Sequence, residues 1–191
     1  MTDGYWTAGS VSGIDNEDNQ SGSTITNHSS PAVPESYSYS PALPYSDAYS
    51  DTLADVAMKY WKNDLRTDMQ NKVPTNPHDP AFWQHLVNFT VGLGVNGSLT
   101  TLPTGAESWP DPTVKDEYKI DDLQHAAVNS RGNFFSAANP TSFSNALSNA
   151  LSTIVARTGA ASAVATNSSS LTTNERVYQA KFNSGDWSGQ L

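Results

Sequence analysis

The chain has 191 residues and carries 10 Lys plus Arg against 19 Asp plus Glu, for a formal net charge of −9 and a pI near 4.6. So acidic a balance excludes nucleic acid and anionic membrane surfaces as partners, since both are gripped by clustered Lys and Arg. Apolar residues make up 37% and charged residues 15%, with a mean hydropathy of −0.50, so the remainder is rich in Ser, Thr, Asn and Gly, as in exported surface proteins, and the length suits one domain or slightly more.

Met1 to Trp6 has neither the basic start nor the apolar run of a signal peptide, so a protein acting outside the cytoplasm is expected to begin upstream of it. Thr2-Asp3-Gly4 at a strand end would set a carboxylate at the edge where α/β folds bind ligands. Asp3 could there ligate Mg²⁺ or Ca²⁺ through oxygen, although an Asp-Gly turn is the simpler reading. Residues 7 to 50 read as poor core material and a long surface insertion, with one short ribbon at Tyr37 to Tyr39. Tyr37, Tyr39, Tyr45 and Tyr49 either form a binding surface or, more simply, pin the loop to the domain.

From Ser50 the pattern becomes helical. Leu53, Val56, Ala57, Tyr60, Trp61 and Leu65 define one apolar stripe, with Ser50 or Asp51 placed to cap it. Pro74, Pro77 and Pro80 forbid a helix and mark a connection, and Phe82 to His85 reads as one short turn. Val87, Phe89, Val91, Leu93 and Val95 alternate with small or polar residues, which predicts a buried central strand. After a loop from Gly97 to Pro112, Ile120 to Val128 reads as a helix with Asp121-Asp122 as its cap pair, and Gly132 to Ser136 as a strand. Asn139 caps a further helix with Pro140 at its first position, where the missing N–H costs nothing. Its expected buried stripe is Phe143, Ala146, Leu147, Ala150, Leu151 and Ile154. Alternating helices and strands predict an α/β fold with parallel pairing. Residues 157 to 174 have linker composition, and Tyr178, Ala180 and Phe182 begin a β-hairpin whose turn is Asn183 to Asp186 and whose second strand opens at Trp187.

The chemistry-bearing residues are sparse. There is no cysteine, which removes disulfides, thiolate catalysis and Cys-ligated zinc. His28, His78, His85 and His125 form no ligand motif, and each reads as a loop or helix-surface residue. Gly92-Leu93-Gly94-Val95-Asn96-Gly97 has the spacing of a dinucleotide loop but is followed by a loop rather than a helix, so that reading fails. Asp15-Asn16-Glu17-Asp18 lacks the oxygen spacing and the terminal Glu of a calcium loop. No apolar run approaches the roughly 20 residues of a membrane-spanning helix. Without a serine motif or a convergent acid–base set, the expectation is a non-enzymatic protein with no tightly held cofactor.

Tyr49-Ser50-Asp51-Thr52-Leu53-Ala54-Asp55-Val56-Ala57-Met58-Lys59-Tyr60-Trp61, continuing to Arg66, resembles a helix of the PilY1-like type IV pilus tip and biogenesis proteins. Phe82 to His85 leading into Phe89 to Gly97, then Ile120 to Gly132, and Val177 to Leu191 resemble the same family in the same order. The resemblance implies a von Willebrand factor A-like domain followed by a β-propeller. Residues 1–156 would be the second half of the first, with the insertion at 7–50; residues 157–174 would be a linker, and 175–191 the first propeller strands. Asp3 then aligns with the last acidic ligand of the metal-ion-dependent adhesion site, whose other ligands come from strands absent here; Mg²⁺ or Ca²⁺ belongs to the full-length protein. The implied function is pilus assembly and attachment at the cell surface, pilus tip or outer membrane. The implied partners are minor pilins, a host or abiotic surface, and other copies through exposed sheet edges. A half-sheet on its own is expected to be marginally stable or to aggregate. The competing expectation is a free-standing carbohydrate- or surface-binding module using Tyr5, Trp6, Tyr37, Tyr39 and Trp109 as stacking platforms; a metal-dependent hydrolase has too few convergent ligands.

Overall fold

The computed structural model describes residues 1–2, 5–6, 12–26, 36–105, 108–137, 139–158, 164–166, 177–179, 181–183 and 188–190. The chain divides into two units, Met1–Ser148 and Asn149–Leu191. The first is a mixed α/β unit with a small parallel sheet and helices, as the alternation of elements predicts. In order it holds β1 (Ile25–Thr26), β2 (Ser36–Tyr37), α1 (Leu53–Lys62), β3 (Thr90–Leu93), α2 (Asp116–Asn129), β4 (Phe134–Ala137) and the start of α3 (Pro140–Thr158).

The sheet is parallel. Val91 lies opposite Phe135 in the β3–β4 pair, and Thr2 bridges to Gly92 on the other edge of β3. Thr2 donates its N–H to the Val91 carbonyl at 2.9 Å and accepts from the Leu93 N–H at 2.8 Å. β3 is thus central, which explains its burial along three of four residues. The strand expected over 87–95 contracts to 90–93, because Gly94 turns to positive φ and ends the ladder.

The N-cap of α1 is Thr52, not Ser50 or Asp51. The Thr52 hydroxyl accepts from the Asp55 N–H at 3.1 Å, and the Asp55 carboxylate accepts from the Thr52 N–H at 3.0 Å, a reciprocal capping box. Asp51 takes positive φ, and its carboxylate binds the Ile14 and Asp15 amides. The buried face also differs from the expected stripe. Ala54, Asp55, Ala57, Met58, Trp61 and Lys62 face inward, while Leu53, Tyr60 and Leu65 are exposed. The helix is rotated by about one residue because Asp55 and Lys62 carry buried polar partners that an apolar count cannot register. Lys62 pairs with Glu17 at 2.7 Å.

Met58 and Trp61 pack with Ile25, Tyr39, Phe82 and Trp83 into the main apolar cluster, with Tyr37 and Tyr45 against it. Residues 7–50 therefore are not merely a surface insertion, since their described parts deliver Ile25, Tyr39 and Asp18 to the interior. The tyrosines pin the segment down: Tyr37 packs edge-on to Trp61 and tilts over Trp83. The ribbon expected near Tyr37 is there as β2, paired antiparallel with β1.

α2 starts at Asp116, four residues before the expected Ile120, and packs against α1. It ends in a Schellman closure: the Arg131 N–H reaches the Val128 carbonyl at 3.0 Å and the Gly132 N–H reaches the Ala127 carbonyl at 2.8 Å. Arg131 occupies the left-handed position at φ 61°. Its guanidinium, 3.6 Å from the Tyr45 ring centre and 3.7 Å from that of Trp61, is clamped between aromatic faces.

α3 starts at Pro140 as expected, with the Asn139 side chain accepting from the Ser142 N–H at 3.0 Å. Of its expected buried stripe, Ala146 and Ala150 are buried, but Leu147, Leu151 and Ile154 are exposed.

In the second unit β5 (Val164–Thr166) pairs antiparallel with β6 (Val177–Gln179), and β7 (Lys181–Asn183) with β8 (Ser188–Gln190). The β7–β8 hairpin answers the expected one. Ala180, Trp187 and the turn at 184–186 lie outside the described residues.

Gly132 sits where a methyl group would overlap the Asn88 carbonyl. Gly132→Ala should cost about 1–3 kcal/mol of stability, seen as a lower urea midpoint with an unchanged denaturant slope.

Candidate functional site

Asp18, Asp55, Asp121 and Asp122 are buried around α1 and α2, and each carboxylate is engaged by backbone amides. Asp18 is fully buried. Its Oδ1 accepts from the Asp47 N–H at 3.0 Å and its Oδ2 from Asn129 Nδ2 at 3.0 Å. The Asp18 N–H donates to Asp55 at 3.3 Å, and its carbonyl accepts the Tyr39 hydroxyl at 2.6 Å. Burial pushes the Asp18 carboxyl up to about 7 against the pull of His125, with Asp47 adding to the rise. Burial likewise raises Asp55.

Asp122 accepts from the Leu53 N–H at 3.1 Å and the Ala54 N–H at 3.0 Å, so it caps α1 from the neighbouring helix. Burial drives it up to about 6 although both amides favour its charge. Asp121 accepts from the Ser98 N–H at 3.0 Å, the Ser98 hydroxyl at 2.6 Å and the Leu99 N–H at 3.1 Å. The expected cap pair at the start of a helix is thereby corrected. Asp121-Asp122 lies inside α2, and its carboxylates cap α1 and the loop after β3. The loop comes close because Gly97 has no side chain; a methyl there would strike the Asp121 carboxylate. That, rather than any nucleotide, accounts for Gly97.

His125 lies in the same cluster. Its Nε2 is 2.7 Å from the Tyr45 carbonyl, its Nδ1 is 3.5 Å from Asp47 Oδ2, and its ring stacks on Trp109 at 4.2 Å and 11°. His125, Asp18 and Asp47 each bring one ligand-type atom within 4.8 Å of the other two. His85 is half-buried, with Nδ1 2.7 Å from the Trp83 carbonyl and Nε2 3.0 Å from Asp79 Oδ2. Both its nitrogens lie within hydrogen-bond distance of acceptors, which favours the protonated ring. Burial opposes that charge, but the bonds to Asp79 and Trp83 outweigh it and raise the His85 pKa. Burial also opposes the Asp79 carboxylate, and the His85 contact outweighs it to lower Asp79. His85 is a loop residue, as expected, held by acceptors in its own loop, whereas the expectation of a surface position is overturned for His125, which is buried in α2 against the Tyr45 carbonyl 80 residues away.

The remaining residues singled out in the sequence fare differently. Asp3 lies outside the described residues. Tyr39 and Trp109 are buried, and the Trp109 Nε1 donates to the Pro44 carbonyl at 2.7 Å, so neither is a stacking platform. Trp6 lines a cleft of about 200 Å³ with Tyr49, Asp51, Thr52 and Asp111. That is smaller than the roughly 300–1,000 Å³ of ligand pockets. The acidic cluster itself is not legible in the sequence; its only signal there is an excess of Asp at positions flanking helix starts.

Two outcomes test this arrangement. Asp122→Ala strands two α1 amides and should cost about 1.5–3 kcal/mol, measured by urea unfolding. Because His85 has a folded pKa above its unfolded one, its stabilisation is complete below about pH 6.5 and is lost as the pH rises through the raised value. The urea midpoint should therefore fall as the pH rises above about 6.5 in the natural chain and fall less in His85→Gln.

No family model and no solved structure matches the chain. Curated relatives do. It is 36% identical to the type IV pilus biogenesis factor PilY1 of Pseudomonas aeruginosa strain PAK over an alignment of 228 positions, which takes in all of this chain and 19% of that protein. The PilY1 proteins of strains PAO1 and UCBPP-PA14 are 36% and 35% identical, with the same coverage of both chains. The chain spans 19% of the length of these relatives. Its whole sequence is therefore PilY1-like, homologous to one part of a type IV pilus biogenesis factor.

Proposed function

We propose that this chain serves type IV pilus assembly and surface attachment as part of a larger pilus-associated protein at the cell surface. The observation that carries the reading is homology along the whole chain to relatives named as pilus biogenesis factors. The acidic charge and the Ser, Thr and Asn content support an exposed setting. Among the described residues, no helix is long and apolar enough to cross a membrane.

Within that protein the first unit is read as part of a von Willebrand factor A-like sheet and the second unit as the opening of a β-propeller. The parallel β3–β4 pair with its Thr2 bridge supports the former, and the β7–β8 hairpin the latter. The role is read as structural rather than enzymatic, because the buried carboxylates hold backbone amides instead of facing a cleft. Partners of this reading are minor pilins at the pilus tip and a host or abiotic surface, with self-association through the sheet edges of β4 and Thr2. Mg²⁺ or Ca²⁺ at Asp3 belongs to the complete adhesion site of a full-length protein.

In-frame removal of codons 1–148 from the chromosomal gene should reduce sheared surface pilin and twitching motility, with both restored by the intact gene in trans. Unchanged piliation and motility in the deletion strain would sink the proposal.

A further inference from the structure

The geometry points to a divalent transition-metal site, of the zinc or manganese class, formed by Asp18, Asp47 and His125. This site is independent of Asp3 and of the pilus reading. The donor set is one imidazole nitrogen with two carboxylate oxygens, which suits a borderline ion better than Ca²⁺ or Mg²⁺, whose ligands are oxygen throughout.

Four observations carry it. First, the three ligand-type atoms lie within 4.8 Å of one another, and all three side chains are shielded from solvent. Secondly, the spacing is that of ligands on one ion rather than of direct hydrogen bonds. His125 Nδ1 and Asp47 Oδ2 are 3.5 Å apart, and Asp18 brings a carboxylate oxygen within 4.8 Å of the ligand-type atoms of both. A charge-assisted N–H···O bond closes to about 2.7–2.9 Å, whereas two donors each about 2.05 Å from a tetrahedral ion sit about 3.4 Å apart. Thirdly, the supporting contacts are those a ligated histidine uses. Nε2 is spent on the Tyr45 carbonyl at 2.7 Å, which fixes the tautomer and leaves the Nδ1 lone pair toward Asp47. The Tyr49 N–H takes Asp47 Oδ1 at 2.8 Å and leaves Oδ2 for the ion, while Asp47 N–H and Asn129 Nδ2 hold the Asp18 carboxylate. Fourthly, Asn129 is fully buried, and its Oδ1 has no hydrogen-bond partner although its Nδ2 bonds Asp18 Oδ2. An ion or its bound water beside Asp18 gives that oxygen a partner. The two carboxylates come from the segment 12–50 and the imidazole from α2, so the ion would tie the segment to the helix pair.

The test uses the full 191-residue chain, stripped with a chelator and titrated with Zn²⁺, Mn²⁺, Co²⁺, Ca²⁺ or Mg²⁺ singly. One equivalent of Zn²⁺ or Mn²⁺ should bind saturably and raise the melting temperature. Co²⁺ should give the d–d absorption of a nitrogen-ligated ion and quench Trp109, which stacks on His125. Asp47→Asn and His125→Gln should each weaken binding by roughly tenfold or more, whereas His78→Gln and His85→Gln should not. Asp47→Asn keeps an acceptor for Tyr49, so it reads the site even if His125→Gln fails to fold. Trp109→Phe should abolish the Co²⁺ quench. No saturable binding to the folded chain, equal binding by Asp47→Asn, or a response to Ca²⁺ or Mg²⁺ alone would each overturn the site.

Discussion

Asp18 joins three segments that are distant in sequence. Through its amide it holds Asp55 at the start of α1, through its carboxylate Asp47 in the second half of the same segment and Asn129 at the end of α2, and through its carbonyl the Tyr39 hydroxyl. A fully buried carboxylate is costly unless its lone pairs are filled. Here each lone pair that is filled fixes the position of another element. The α1–α2 pair and the apolar cluster of Trp61, Trp83 and Tyr39 assemble around that constraint.

The same logic recurs across the unit. Asp122 and Asp121 use carboxylates on the buried face of α2 to satisfy amides that no helix or strand supplies with a partner. Helix starts and loop ends leave such amides orphaned, and burying them unpaired costs more than a carboxylate whose charge they stabilise. A chain with only 37% apolar residues has little freedom to bury these ends in hydrocarbon. It recruits Asp instead, and burial of these carboxylates is what raises Asp18, Asp55 and Asp122 together. Arg131, clamped between Tyr45 and Trp61, sets one positive charge in the same unit.

Several features can be read directly from the residues because they are local. The Asn139-Pro140 start of α3, the alternation around β3, the helix beginning near Leu53 and the β7–β8 hairpin each depend on neighbours a few positions away. The inward face of α1 departs by one residue from the apolar stripe because Lys62 and Asp55 resemble surface residues until Glu17 and Asp18 are placed beside them. Asp121-Asp122 reads as a cap for its own helix because the amides it holds are 22 to 69 residues distant. His125 gives no local sign of burial because Tyr45 and Trp109 are remote in sequence.

By itself the sequence determined the α/β alternation with parallel pairing, the acidic surface character and, through four ordered segments, the PilY1-like kinship. Periodicity, turn chemistry and ordered motifs are written in consecutive residues, so they need no coordinates. Only the tertiary structure decided that Asp18, Ile25 and Tyr39 of the polar segment are part of the core, and that Asp18, Asp47 and His125 share one space. It also decided that the carboxylates of α2 serve other elements. A carboxylate's partner is whichever amide the fold brings within about 3 Å, and that proximity is a property of packing rather than of any local pattern.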